Sequence, residues 1–414
     1  MLPPETAALL GPMDPDTPAP EPQALAAVVE PLLAADALNG TVSAAVYDML
    51  TGTELYVTAA DAPMTPASST KVVTAAAVLA TRGPGYRIPT RVLAGPEPGQ
   101  VVLVADGDIT LSVDGTGFYE GAASLQDLAD QVRRSLGDQP VEQILFDGSA
   151  FTGDPVAEGV VPGDIGAGYT APMAPLMTDG GRVDPAGENY SARFDDPVRQ
   201  ALDRFAAMLD DAEVSVSSEP IADPQAEELG VVHSAPVQRL VEQMLLPSDN
   251  TLADALARQV ALAVGTAPVS FVDGAQASMD VLADAGVPLD NVVLHDGSGL
   301  SMDNRLPAQT LAGIVLRAGD GTHPEFSGLL SGLPVAAWSG SLDRRYQGEN
   351  AAGAGYVRAK TGTLDGASSL TGILVTRDGR VLSFALMANG FTNLFAVESA
   401  LDAVAAAMTE CGCR

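Results

Sequence analysis

Residues 356–389 hold three apolar runs, YVRAKTG, SLTGILVT and VLSFALMAN, joined by the four-residue links LDGA and RDGR. A parallel return needs a crossover of about a dozen residues or more, so these runs must be antiparallel neighbours in one sheet. An early hairpin, VSAAVYDM followed by TGTELYVT with its turn near Thr51 and Gly52, adds two further strands. Helical patterns occupy 23–38, the stretch from Ser68 to Gly83, 235–246, 252–264 and Asn393 to Met408. From about 92 to 232 the texture changes to short β-rich runs such as VVLVADGDITLSV and EQILFD, broken by Gly, Pro and Asp clusters. The expectation is an α+β chain. One discontinuous domain, 1–91 with 233–414, carries an antiparallel five-stranded sheet with the first and last helices on one face and a helical cluster on the other. One or two inserted β-rich domains occupy 92–232.

Three short motifs stand on this frame: PASSTK at 66–71, SDN at 248–250 and KTGT at 360–363. Ser68 and Lys71 are three apart at a helix mouth, where i and i+3 side chains are neighbours on one face. The amine can therefore reach the hydroxyl. A serine hydroxyl becomes a nucleophile when an adjacent base takes its proton, and a helix N-terminus favours the developing oxyanion. Ser68 could equally be a plain helix cap, and SDN fits an ordinary N-cap for the helix starting near Thr251. For Lys71 to act as a base, its pKa must fall from about 10.4 to near 7. A second cation, Lys360, could supply much of that fall, with burial adding the rest.

The distribution of basic residues separates these readings. The chain has 19 arginines and only two lysines, and the two lysines are Lys71 and Lys360. Everywhere else Arg suffices. A compact ammonium that can lose its proton is the one cationic task that guanidinium cannot perform. On this reading Ser68 is the nucleophile and Lys71 its base. Ser248 passes the proton between Lys71 and a leaving amine, and Asn250 bonds a substrate amide. Lys360, which stays protonated, together with Thr361, Gly362 and Thr363, lines the strand along which substrate docks and engages a terminal carboxylate. The backbone N–H groups of Ser68 and Thr363 form the oxyanion hole.

Other classes fare worse. A net charge of −32, from 53 acidic against 21 basic residues, repels phosphate backbones, so nucleic acid is a poor partner. Histidine occurs only at 233, 295 and 323, with no HExxH, and the two cysteines, Cys411 and Cys413, lie in a terminal CGC that could be a small strained disulfide or two free thiols. A metal site has no support. No GxSxG elbow is present, which argues against a Ser-His-Asp hydrolase. No run of about 18 apolar residues occurs, and the Pro-rich opening lacks the basic-then-apolar order of a signal peptide.

The set SxxK, SDN and KTG is that of penicillin-binding proteins and class A β-lactamases. The chain resembles, more narrowly, the D-alanyl-D-alanine carboxypeptidases/endopeptidases of the penicillin-binding protein 4 type, which are low-molecular-mass class C penicillin-binding proteins. The distinguishing feature is the 180 positions between Ser68 and Ser248, a gap several times shorter in β-lactamases. VADGDITL (104–111), FDGSAF (146–151) and DGSGLS (296–301) extend the likeness over nearly the whole chain. The resemblance implies a β-lactamase/transpeptidase-like catalytic fold and an acyl-enzyme on Ser68, acting on peptidoglycan stem peptides. It implies acylation by β-lactam antibiotics, no metal or organic cofactor, and a location outside the cytoplasmic membrane with any leader or anchor lying outside this sequence.

Where the family commonly places Arg after DGSGLS, this chain has Met302, followed by Asn304 and Arg305. With Asp365 shortly after KTGT, that departure leaves room for a basic side chain, such as lysine or ornithine, in place of diaminopimelate. A β-lactamase is the nearest rival enzyme, although no Glu is placed to activate the deacylating water. A non-catalytic cell-wall-binding protein on the same fold is the rival from another class.

Overall fold

The computed structural model describes residues 14–411, so the Pro-rich opening before Asp14, and Cys413, lie outside the described residues. Two five-stranded sheets organise the chain. The first contains β1 (Thr41–Asp48) and β2 (Glu54–Thr58) from the early hairpin. It also contains three late strands: β8 (Val357–Leu364), β9 (Ala367–Val375) and β10 (Val381–Asn389). Their order is β2-β1-β10-β9-β8, antiparallel throughout, as the short links require.

Central strand β10 shows why its sequence is apolar at almost every position. Leu382, Phe384 and Leu386 enter one core, under the Pro22–Leu33 and Leu394–Glu410 helices, while Ala385 and Met387 enter the other, against the helices Lys71–Arg82, Val237–Leu245, Asn250–Ala263 and Ala308–Gly319. Both faces are covered. Cys411, just past the last helix, is buried and is not a free thiol.

The second sheet is built from β3 (Pro89–Ala94), β4 (Gln100–Ala105), β5 (Gln143–Asp147), β6 (Glu213–Ser217) and β7 (Glu228–His233), in the order β6-β5-β4-β3-β7. β3 and β7 straddle the expected limits at 92 and 232. The pairs β4/β5 and β5/β6 are parallel, so each return needs a long crossover, and each crossover contains a helix that the sequence reading passed over: Leu125–Leu136 and Pro197–Ala207. Both helices carry ordinary start signals. The side chain of Ser124 accepts from Asp127 N, and that of Asp196 accepts from Arg199 N with Pro197 following. Leu125, Leu128, Ala129 and Val132 fall on one stripe and pack with Phe205 over the same face of the sheet.

The remainders of those crossovers, 106–124 and 148–196, leave the second sheet and run into the helical cluster of the first. Phe151 bridges Val269, Met302 N donates to Gly159 O at 3.0 Å, and Gln259 Nε2 donates to Asp106 O at 2.6 Å. No helix among the described residues is long and apolar enough to cross a membrane.

One buried ion pair ties the first hairpin to the sheet centre. Arg380 Nε donates to Asp48 Oδ1 at 2.9 Å and a second guanidinium nitrogen donates to Oδ2, while Leu50 N and Thr51 Oγ1 complete the carboxylate. Removing one partner strands a buried charge. Arg380→Met is therefore expected to cost about 3–5 kcal/mol in urea unfolding, and the double variant Asp48→Leu/Arg380→Met to recover most of that loss.

Candidate active site

Ser68 lies in a single 3₁₀ turn, Ala67–Thr70, and the α-helix begins at Lys71, slightly later than the pattern suggested. The i, i+3 relation survives. Lys71 Nζ donates to Ser68 Oγ at 2.9 Å, to Asn250 Oδ1 at 2.6 Å and to the Ser298 carbonyl at 2.7 Å. The side chain is fully buried. Burial brings its pKa down to about 8 against the raising fields of Asp254, Asp296 and Asp249.

That balance corrects an expectation. Burial, rather than the charge of Lys360, is what depresses Lys71. Lys360 projects from edge strand β8 into the same water-poor region, with Nζ donating only to Thr361 O at 2.7 Å. Burial first, and the Lys71 charge second, push it well below its ordinary value. Among the described residues no carboxylate bonds Lys360, so its ammonium is disfavoured more than the sequence reading allowed for.

Gly362 explains how β8 comes so close to the serine. A Cβ there would lie 2.2 Å from Ser369 Oγ and 2.6 Å from Pro66 O, so any side chain would push the strand off the Ser68 turn. Ser369 Oγ donates to Pro66 O at 2.6 Å and meets Ser69 Oγ at 2.8 Å, clamping turn to sheet. Thr361 Oγ1 meets Ser341 Oγ at 2.6 Å, and exposed Thr363 donates to Glu398 Oε1 at 3.1 Å.

The SDN segment is held from the second-sheet crossovers. Asp249 is the N-cap, accepting from Leu252 N at 3.0 Å, and is fully buried against Arg182 Nη2 at 2.9 Å and Tyr119 OH at 2.8 Å. Arg182 lies 3.5 Å over the Phe118 ring and also bonds Asn189, which donates to Pro247 O at 2.9 Å. Ser248 takes a left-handed φ of 66°. Its hydroxyl makes no hydrogen bond to either lysine among the described residues. Asn250 Nδ2 donates to Tyr169 O at 2.9 Å while its Oδ1 accepts from Lys71, which leaves the second amide hydrogen for another partner.

Of the eight candidates, Ser68, Lys71 and Asn250 are joined by hydrogen bonds, and Gly362 packs on the Ser68 turn. Thr363 lines the cavity with Ser68 and Asn250, and Lys360 is buried where the Lys71 charge acts on it. Thr361 instead bonds Ser341, and the Ser248 hydroxyl is not brought onto either lysine. The sequence missed the Ser298 carbonyl and the carboxylate that aims it. Asp296 accepts from Gly299 N, Ser301 N, Asn304 Nδ2 and Ser298 Oγ. In the sequence the run DGSGLS (296–301) served only as part of the family likeness, and nothing in it marked a carbonyl as a partner of Lys71. A cavity of about 540 Å³ opens beside Ser68, lined by Asn250, Tyr169, Tyr190, Asp164, Thr363 and Asp365 among others, with no basic residue in its wall.

Chemically, the arrangement can transfer an acyl group: a hydroxyl at a helix mouth, a depressed amine within reach, and a pocket beside them. The model of the D-Ala-D-Ala carboxypeptidase 3 (S13) family matches residues 25–192 and 185–410. A carboxypeptidase of Mycolicibacterium smegmatis is 40% identical over 411 residues, 97% of this chain and 87% of that protein. The structure of penicillin binding protein 4 from Haemophilus influenzae is similar with a TM-score of 0.74 at 19% identity, covering 92% of this chain and 98% of that one. The same protein complexed with a β-lactam gives a TM-score of 0.68 at 20% identity, covering 91% and 98%.

Lys71→Arg keeps the cation but forbids its deprotonation. The variant is expected to react with a serine-directed acylating probe about 10²–10⁴ times more slowly. In the unaltered chain, the rate should fall tenfold per pH unit below about 8, where Lys71 is protonated.

Proposed function

The chain belongs to the D-Ala-D-Ala carboxypeptidase 3 (S13) family, and from that premise we propose that Ser68 is the nucleophile of this serine-type D-Ala-D-Ala carboxypeptidase. The observation that carries the assignment is the buried, depressed amine of Lys71 lying 2.9 Å from Ser68 Oγ. Lys71 takes the hydroxyl proton as Ser68 attacks the carbonyl between two D-alanines, and the oxyanion is met by the N–H groups of Ser68 and Thr363. Ser248 returns a proton to the departing amine. The C–N bond breaks, free D-alanine leaves, and water resolves the acyl-enzyme.

Lys360 binds the substrate's terminal carboxylate with Thr361 and Thr363. Burial and the Lys71 charge disfavour the Lys360 ammonium, and the arriving carboxylate favours it, so substrate binding and the charge of Lys360 are linked. Asn250 turns its amide toward the substrate once a peptide occupies the cleft. β-Lactams acylate the same serine, a reading supported by the β-lactam complex of the Haemophilus protein. The substrate is peptidoglycan, which places the enzyme outside the cytoplasmic membrane, and cleavage of D-Ala cross-links as an endopeptidase is the second activity of the same site.

Asp164 and Asp365 give the cavity two carboxylates and no cation. Arg305, the nearest basic residue in sequence to Met302, is turned away onto Thr65 Oγ1 and the Met302 and Asn304 carbonyls. The stem-peptide residue seated there therefore carries an amine without a free carboxylate beside it.

Purified protein mixed with a D-Ala-D-Ala peptide should release D-alanine, and Ser68→Ala should abolish release. Penicillin should leave one covalent adduct, on the peptide containing Ser68, by mass spectrometry. An adduct elsewhere overturns the nucleophile assignment, and rapid release of hydrolysed penicillin would indicate a β-lactamase. Stem peptides with lysine at the third position should be cleaved faster than those with diaminopimelate, with Asp365→Asn narrowing the difference; equal turnover in the unaltered chain overturns the side-chain reading.

A further inference from the structure

Accepting the Ser68 proton turns Lys71 into a buried ammonium, and a buried ammonium needs a counter-charge. Its three hydrogen-bond partners, Ser68 Oγ, Asn250 Oδ1 and Ser298 O, are all neutral. Three carboxylates act on it through space: Asp254 and Asp249 from the Asn250–Ala263 helix and its cap, and Asp296 from the loop before Ser298. Two of these are already committed. Asp249 is neutralised by Arg182, with Arg193 nearby, and Asp296 is wrapped by four donors.

Asp254 differs. It lies one helical turn beyond Asn250, only 4% exposed, and accepts a single hydrogen bond, from Gly297 N at 3.0 Å. It makes no ion pair within 4.0 Å among the described residues. Arg258, one turn further on, donates to the Asp254 backbone carbonyl at 3.5 Å and lays its guanidinium over the Phe271 ring at 3.7 Å, so its charge reaches the Asp254 carboxyl only through space. The Gly297 that Asp254 holds is followed directly by Ser298, whose carbonyl holds Lys71, and Thr74 Oγ1 fastens Gly297 O at 2.6 Å.

We propose that the Asp254 carboxylate is the counter-ion of Lys71, a positioning residue that acts through the lysine both by its charge and by orienting the Gly297-Ser298 backbone. It rests on the reading of Lys71 as the base of Ser68. Burial, reinforced by Asp296, holds the Asp254 carboxyl up at about 8 although Arg258 and then Lys71 draw it down, so its negative charge forms together with the charge of its cationic neighbours. Lys360 faces Lys71 from β8 and is lowered by the Lys71 charge, whereas the strength of the Lys71 base is the balance between its burial and these carboxylates.

Asp254→Asn keeps a carbonyl for Gly297 N and removes the charge. The second-order rate of Ser68 acylation by penicillin, followed against pH, should show its acid limb displaced downward by about one to two pH units, with the plateau rate lower because the base is weaker. Asp254→Glu should return the limb toward its original place. Thr74→Val loosens the same loop without touching charge, and should lower the rate with the limb unmoved. With only two lysines in the chain, side-chain carbon-13 lysine labelling reads the same shift directly from the Lys71 resonance. An unmoved limb and an unmoved resonance in Asp254→Asn overturn the proposal. Should that variant not fold, Asp254→Ser is read the same way. Failure of the unaltered chain to be acylated overturns the Ser68 assignment instead, and leaves the lysine titration to judge Asp254.

Discussion

A single buried amine organises the molecule. Lys71 has three acceptors, supplied by the turn before its own helix, by the start of the Asn250–Ala263 helix and by the loop at Ser298. No one of these segments is near another in sequence. An ammonium taken out of water without such partners would cost several kcal/mol, so the geometry of the three segments and the state of the lysine are fixed together. The approach of β8, possible only because Gly362 has no side chain, closes the fourth side.

The second sheet serves that arrangement at a distance. Parallel pairing in β4, β5 and β6 forces long crossovers, and beyond their packed helices the crossovers have length to spare for loops that reach the first sheet's helical cluster. Tyr119, Arg182 and Asn189 come from those loops, and together they neutralise and hold the segment Pro247–Asp249. The left-handed backbone at Ser248 is strained for a residue with a Cβ, and it persists because its neighbours on either side are pinned.

Two lysines share one water-poor region, and they are not equivalent. Lys71 lies among carboxylates that moderate the effect of burial, whereas Lys360 has only a backbone carbonyl and a neighbouring cation. Around Lys360 itself no carboxylate bonds among the described residues, which suits a ligand that brings its own. In the cavity wall, Asp164 and Asp365, the latter directly after β8, supply negative charge where a side chain would lie. The polarity of the cleft is set by burial at one end and by surplus carboxylates at the other.

The sequence alone determined the candidates for the reacting groups and the connectivity of the first sheet. Four-residue links permit only antiparallel pairing, i and i+3 spacing puts Ser68 beside Lys71, and two lysines among 19 arginines mark where a deprotonatable cation is needed. These are local facts of chain geometry and chemistry. The parallel pairing of the second sheet was not legible, because an apolar run such as β4 reads alike in either sense, whereas the stripes and caps of its two helices were readable and were passed over. Nor were Ser298, Asp254 and the burial that lowers Lys360 readable. A carbonyl becomes a ligand, and a lysine's hold on its proton weakens, only when distant segments exclude water around it, and that exclusion belongs to the tertiary structure.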